Sequence, residues 1–286
     1  MRPTVADFEP TAGAPELEAR GLRWQLDEGA RRLIQQADDV MLFSGDVRLV
    51  RGGGRGHSRL LHVVLGLAEA QAGHVLIAGV DVGSQSAGGR LLLRRRVGFV
   101  PRVGALLANL GLDANLALLA RHHLDLRGAA LQERMAEISE LLELPPLQGR
   151  RLADAPLDLQ RRVALGRVLA LRPPFLVLQE PTLGLDAKRA AALWAILDRV
   201  RLARGMAVLA TGEEAAAGTR EEWHVRSVEE TMQSASGDPV ELRAPRTSRK
   251  DPAADDSGPS QRPRSPSAHP PEASDDARAA LGRSAS

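Results

Sequence analysis

Two stretches hold residues whose types and spacing could do chemistry. Residues 51–58 read RGGGRGHS, so Gly52, Gly53, Gly54 and Gly56 lie among Arg51, Arg55, His57 and Ser58, with Arg59 next. Glycines let backbone N–H groups approach an anion closely, and a Gly-rich loop that opens a helix can cradle phosphate. No Lys follows these glycines, so taken alone they read first as a flexible, ligand-free connection. The second stretch, FLVLQEPTLGLD at 175–186, ends an apolar run on Gln179 and the acid Glu180. His122-His123 suggests a metal pair, but neighbouring residues diverge on a helix, and a solvated face is the plainer reading. Arg94-Arg95-Arg96 could touch a partner, phosphate or lipid headgroups, with a solvated edge as the default.

The elements that must position these residues alternate in type. Residues 47–50 read as a strand that runs into the glycines, and SRLLHVVLGL then carries Leu60, Leu61, Val64 and Leu67 at helical spacing. HVLIAGVDV, after Gly73, predicts a β-hairpin, and residues 97–100 predict a strand stopped by Pro101. Residues 113–144 predict two helices around Arg127-Gly128, the second with Leu131, Met135, Ile138 and Leu142 on one face. A further helix spans 157–171 and ends before Pro173-Pro174. FLVLQ is too short for a helix and suits a strand buried on both faces. Asp186 is placed to cap a helix over 187–204, and residues 207–210 give the last core strand. The order predicts an α/β protein with a mainly parallel sheet.

Composition narrows the function. The chain has 286 residues, 43% hydrophobic and 26% charged, enough for a sizeable core. Aromatics are 2%, with no Tyr, which argues against a reader that stacks many bases. The net charge is only +2, and the pI near 9.8 reflects an Arg excess with two Lys, Lys188 and Lys250. Bulk charge therefore gives no argument for nucleic acid, and none is expected as a partner. With no Cys, disulfides and thiolate metal sites are excluded. No stretch approaches 18 consecutive apolar residues, so no bilayer-spanning helix is expected. Residues 1–15 read as a flexible lead-in, 16–234 as the folded domain, and 235–286 as a disordered Ser/Pro/Arg-rich tail. A docking or regulatory arm is the functional alternative for that tail.

The segment FLVLQEPTLGLD resembles the Walker B strand and D-loop of ATP-binding-cassette (ABC) ATPases. Its surroundings stand in that family's order. The strand, Gly loop and helix at 47–67 match the phosphate loop, Val100-Pro101-Arg102 with ALLANLGLDANLAL matches the Q-loop and helical subdomain, and PLDLQRRVALGRVLAL matches the signature motif and its helix. The resemblance covers roughly residues 16–225. The stretch from Asn109 to the signature looks most like subunits that drive bacterial lipid or solvent-tolerance transporters. The resemblance implies an ABC nucleotide-binding domain: a RecA-like P-loop core, an antiparallel β subdomain and a helical subdomain at about 103–172.

The departures from the family pattern fall on its chemistry. His57 stands where the phosphate-loop Lys belongs, and Arg51 replaces its first Gly. Gln179 stands at the acid that holds the Mg²⁺ water shell, leaving Ser58 and Gln179 as weak metal candidates. Arg102 replaces the Q-loop Gln, Pro156-Leu157-Asp158 replaces the Ser-Gly-Gly signature, and Gly212 replaces the switch His. Glu180 keeps the general-base position, and Trp24, with Leu26 as the other candidate, lies near the expected adenine contact.

The resemblance therefore implies ATP and Mg²⁺ as ligands, a permease partner, a homo- or heterodimer of ATPase subunits, and a place at the inner face of the cell membrane. The losses imply weak or absent hydrolysis, with Glu180 vestigial. Two alternatives stand beside this: an active ATPase with Arg51, Arg55 or Arg59 replacing the Lys, and a regulatory protein reusing the scaffold without a permease.

Overall fold

A computed structural model describes residues 13–28, 31–51, 55–212 and 224–228. Gly52, Gly53 and Gly54, most of the lead-in and the whole tail lie outside the described residues. The chain divides into units Met1–Gln233 and Ser234–Ser286, and every described residue belongs to the first.

Six strands form an antiparallel sheet. They are β1 (Leu17–Glu28), β2 (Arg31–Ala37), β3 (Val40–Leu42), β5 (Ala72–Ile77), β6 (Val80–Asp81) and β10 (Val225–Val228), ordered β10-β2-β1-β5-β6 with β3 also on β1. The expected hairpin is β5–β6. β1 changes register against β5 between Arg20 and Arg23. Gly73 sits at this irregularity with φ +76°, and a Cβ there would lie 2.4 Å from the Arg20 carbonyl oxygen, so only glycine fits. The shift moves the inward face from Leu17 and Ala19 to Leu22, Trp24 and Leu26, all buried.

The second sheet is parallel, ordered β4-β9-β8-β7, from β4 (Val47–Arg51), β7 (Val97–Val100), β8 (Phe175–Gln179) and β9 (Ala207–Gly212). β8 is apolar on both faces, as expected for FLVLQ, while β4 at the sheet edge carries Arg48 and Arg51. Leu176 and Leu178 face one hydrophobic cluster, built with the helices α3 (Leu112–His123), α4 (Gly128–Leu141), α5 (Leu157–Leu169) and α6 (Ala187–Arg204). Phe175 and Val177 face the other, built with α1 (Arg55–Val64), α2 (Ala87–Arg96) and the antiparallel sheet.

Local signals set the helix ends. The Asp186 carboxylate accepts from the Arg189 N–H at 2.8 Å, and Gly205 closes α6 in the left-handed region at φ 59°. Three expectations need correction. α1 stops at Val64, so Leu67 lies beyond the helix and is exposed. Arg94, Arg95 and Arg96 form the last turn of a helix, α2, that the sequence pattern did not place, and Arg96 reaches Glu16 at 3.8 Å. α5 ends at Leu169, two residues earlier than expected. No helix among the described residues is long and apolar enough to cross a membrane.

Candidate functional site

The carboxyl ends of all four parallel strands converge on one edge: Arg51, Val100, Gln179 and Gly212. Open parallel sheets bind ligands at this edge, because each strand there hands over to a loop that can vary without disturbing the core. β4 leads through the glycines to α1, which begins at Arg55. In its first turns Gly56, His57 and Ser58 are half-buried, while Arg55 and Arg59 are exposed.

Gln179 joins this helix to the rest of the site. Its Nε2 donates to Ser58 Oγ at 2.7 Å, and its Oε1 accepts from the Arg102 backbone N–H at 3.3 Å. A backbone N–H can only donate, so the amide orientation is fixed by the second bond. Ser58 and Gln179, the two metal candidates, are thus brought together.

Glu180 comes next, buried to 8% exposure with φ at 46°. A non-glycine residue in the left-handed region is strained by roughly 1–3 kcal/mol and needs support from its surroundings. That support is visible: the Glu180 N–H donates to the Thr211 carbonyl at 3.0 Å, with Thr211 Oγ1 at 3.2 Å, at the end of β9. The Glu180 carboxylate meets Arg102 Nε at 3.2 Å.

Three residues that the sequence pattern did not single out hold Arg102 and its loop. Arg161 on α5 donates to the Arg102 carbonyl and, at 3.1 Å, to that of Leu183, so it ties the loop after β7 to the turn after β8. Burial pushes the Arg161 guanidinium below its ordinary pKa, the Arg102 charge adds to this, and Glu180 opposes it. Arg167 donates to the carbonyls of Gly104 at 3.0 Å and Ala105 at 2.8 Å. Asn115, fully buried, accepts from Leu107 N at 2.8 Å and donates to the carbonyls of Leu107, Leu110 and Gly111. A polar residue inside an otherwise apolar helical window was the sequence signal for Arg167 and Asn115, whereas Arg161 sits among Asp158, Gln160 and Arg162 and carried none. Their partners lie in a loop with no periodicity of its own.

Beside Ser58 opens a cavity of about 410 Å³, lined by Gln25, Leu26, Arg55, Ser58, Arg59, His62 and Arg102. Arg55, Ser58 and Arg59 are the phosphate-loop candidates that reach it; Gly56 packs beside Leu26 and Gln35. Trp24 does not reach it. Its side chain is buried in the apolar cluster under α1, so the expected adenine contact is corrected to its core role, and Leu26 takes the cavity wall. A second cavity of similar volume surrounds Gly66 to Ala70 and the β5–β6 hairpin and shares no residue with this site.

Of the other positions that the resemblance singles out, Gly212 ends β9 at this edge and Pro156 stands at the N-cap of α5. Pro156 precedes α5 without a side-chain cap, and Asp158 in the first turn pairs with Arg162 at 3.1 Å and Arg189 at 3.9 Å. Gly212 is buried at the end of β9. His122 and His123 are both exposed, and no group of metal-ligating side chains occurs among the described residues.

A family model described as ABC transporter matches residues 41–183. The chain is 30% identical over 214 residues to the zinc import ATP-binding protein ZnuC of Halorhodospira halophila, covering 72% of each chain. It is 32% identical over 157 residues to the methionine import ATP-binding protein MetN of Rhizobium meliloti, covering 54% of this chain and 43% of that one. It is 34% identical over 163 residues to the Nod factor export ATP-binding protein I of Burkholderia thailandensis, covering 55% and 50%. Across such relatives the chain spans about half of the partner's length or less, ZnuC excepted. Among solved structures, cbiO1 of Clostridium perfringens superposes with a TM-score of 0.62 at 20% identity, over 70% of this chain and 79% of that one. The dimeric ATP-binding cassette MJ0796 bound to ADP and Pi superposes at 0.61 and 21% identity, over 70% and 89%. At these identities the two structures speak for the fold.

Proposed function

The chain belongs to the ABC transporter family through its ATP-binding domain, and from that premise we propose that it is the ATP-binding subunit of a membrane transporter with weak or absent hydrolysis of its own. It sits at the inner face of the membrane under a permease and pairs with a second ATP-binding subunit, an intact one where hydrolysis is needed. The cargoes for which the relatives are named (zinc, methionine, Nod factor) differ in kind and do not transfer to this chain. The resemblance of the stretch from Asn109 to Pro156 supports a place among subunits of the lipid or solvent-tolerance type.

The observation that carries weak hydrolysis is the Arg102–Glu180 pair at 3.2 Å. A general base must reach the attacking water with a free lone pair. A guanidinium on the carboxylate makes a charge-assisted hydrogen bond that competes for that lone pair. The donors that stabilise transition-state charge are depleted too: Pro156 has no N–H, and His57 lacks the reach of Lys. Each preorganised donor lost typically costs about 10²–10³ in rate, and such losses are not additive.

Phosphate release from Mg·ATP by the purified chain tests this. The expected rate is at least about a hundredfold below that of an intact family member assayed alongside. Family-like turnover that Glu180→Gln abolishes would overturn the reading. It would install the alternative in which Arg55 and Arg59, both on the cavity wall, replace the Lys. Co-purification of the full chain with a membrane protein, against its recovery alone, separates a transporter subunit from a scaffold reused for regulation.

A further inference from the structure

Family resemblance implies a magnesium ion between Ser58 and the residue at 179, and the side chains present do not fit one. Mg²⁺ requires oxygen ligands that each offer a lone pair, commonly a carboxylate among them. Gln179 offers the opposite. Its Oε1 is engaged by the Arg102 backbone N–H, which turns Nε2, an amide nitrogen with no lone pair to give, onto Ser58. At 2.7 Å that N–H takes up one acceptor position of the Ser58 hydroxyl and sets the partial positive charge of an amide N–H beside it, where a cation needs a lone pair. The adjoining carboxylate, Glu180, is held by Arg102.

The cavity wall beside this pair shows complementary chemistry. Arg55, Arg59 and Arg102 line it, His62 adds a titratable donor, and no Asp or Glu is among its lining residues. Arg102 lines the cavity with a side chain that is 52% exposed while its Nε contacts Glu180. A divalent ion normally cancels two of the charges on a triphosphate. Here guanidiniums stand on the wall instead, and arginine suits phosphate because its donors are planar and permanently charged.

We propose that this site binds the nucleoside triphosphate free of magnesium, with Arg55, Arg59 and Arg102 supplying the charge compensation and the Gln179 amide filling the place of the metal. The proposal deepens the reading of this edge as a nucleotide site and rests on it. Magnesium then competes with the protein for the phosphates, because complexation lowers the ligand charge that the arginines attract.

Equilibrium binding of ATP to the full chain, by calorimetry in EDTA and in excess magnesium, tests it. The expected affinity in EDTA equals or exceeds that in magnesium. Gln179→Asp, which supplies a carboxylate beside Ser58, reverses the order, with magnesium tightening binding by about tenfold or more. Arg102→Gln, at a largely exposed side chain, weakens binding in EDTA by about tenfold. Circular dichroism shows that each variant is folded. If magnesium tightens ATP binding to the unaltered chain, or if no ATP binds in EDTA, the proposal is overturned. Neither result touches the proposal of weak hydrolysis, which is read in phosphate release; Mg·ATP turnover dependent on Glu180 would overturn that reading instead.

Discussion

Arg102 uses three parts of itself: its N–H holds the Gln179 amide, its carbonyl accepts from Arg161, and its guanidinium contacts Glu180. The segment after it is held by buried polar side chains, and among these Asn115 has the most to lose. Its amide makes four hydrogen bonds to the 107–111 backbone from a fully buried position. Removing it takes the partner from the Leu107 N–H and the Leu110 carbonyl, while the Leu107 and Gly111 carbonyls keep the backbone N–H groups of Leu110 and Asn115. A group left unpaired costs about 1–3 kcal/mol where water does not replace the partner. Asn115→Ala is expected to lower unfolding stability by roughly 2–3 kcal/mol in a urea titration, with the urea dependence itself unchanged. A midpoint equal to that of the unaltered chain would mean that the loop finds other partners.

At the scale of elements, α5 is the part that brings the helical layer and the site together. Arg161 and the buried Arg167 reach the loop after β7, and Gly166 meets α3 and α4. A Cβ at Gly166 would lie 2.7 Å from Leu116, 2.8 Å from Leu142 and 2.9 Å from Ile138. All three neighbours are themselves buried core residues, so none can move aside freely. Gly166→Ala gains helix propensity but overpacks this junction, and the second effect is the larger. A net loss of about 1–2 kcal/mol is expected from thermal or urea unfolding. A gain in stability would show that the three helices are packed less tightly than these distances imply.

At the scale of the whole folded unit, the helices on one side of the parallel sheet are joined to each other by an ion network centred on Glu137 of α4. Arg172, after α5, approaches at 2.8 Å, Arg204, at the end of α6, at 2.7 Å, and Arg134 at 3.3 Å. Burial alone would raise the Glu137 pKa, but the Arg172 hydrogen bond and the charges of Arg204, Arg172 and Arg134 outweigh it and hold the carboxyl below its ordinary value. A carboxyl whose folded pKa is depressed contributes stability above the unfolded pKa, and that contribution is lost as pH falls through the folded one. Glu137→Gln is therefore expected to lower the denaturation midpoint near neutral pH. The gap to the unaltered chain closes as pH drops below about 4, the ordinary glutamate range. Salt narrows it as well, because the carboxylate is partly exposed. A gap independent of pH would assign the effect to packing rather than charge.

Much of the architecture was legible from local pattern. FLVLQ reads as a doubly buried strand because every one of its first four residues is apolar, and it is one. Asp186 and Gly205 mark the ends of α6 through turn chemistry that needs no distant partner. The β-strands of the N-terminal sheet were harder to read, because the register shift near Gly21 and Gly73 breaks the period-two pattern of β1 partway along. For the same reason Trp24 and Leu26 could not be told apart as cavity residues. Both face inward, and only the packing of α1 against β1 decides that Leu26 reaches the open edge while Trp24 is covered.

What the amino-acid sequence by itself determined is therefore the order and type of the strands of the parallel sheet and of the helices α1, α3, α4, α5 and α6, and which residues stand at the positions the resemblance singles out, His57, Gln179, Pro156 and Gly212 among them. Those arise from composition and spacing within a few residues, which is the range over which backbone preference and amphipathic period act. The tertiary structure alone decided what these side chains meet: that Gln179 turns its N–H onto Ser58, 121 positions away, and that Glu180 is met by Arg102. Such pairings depend on three strands ending at one sheet edge, and side-chain electrostatics act across the distance in space that folding sets, whatever the separation along the chain.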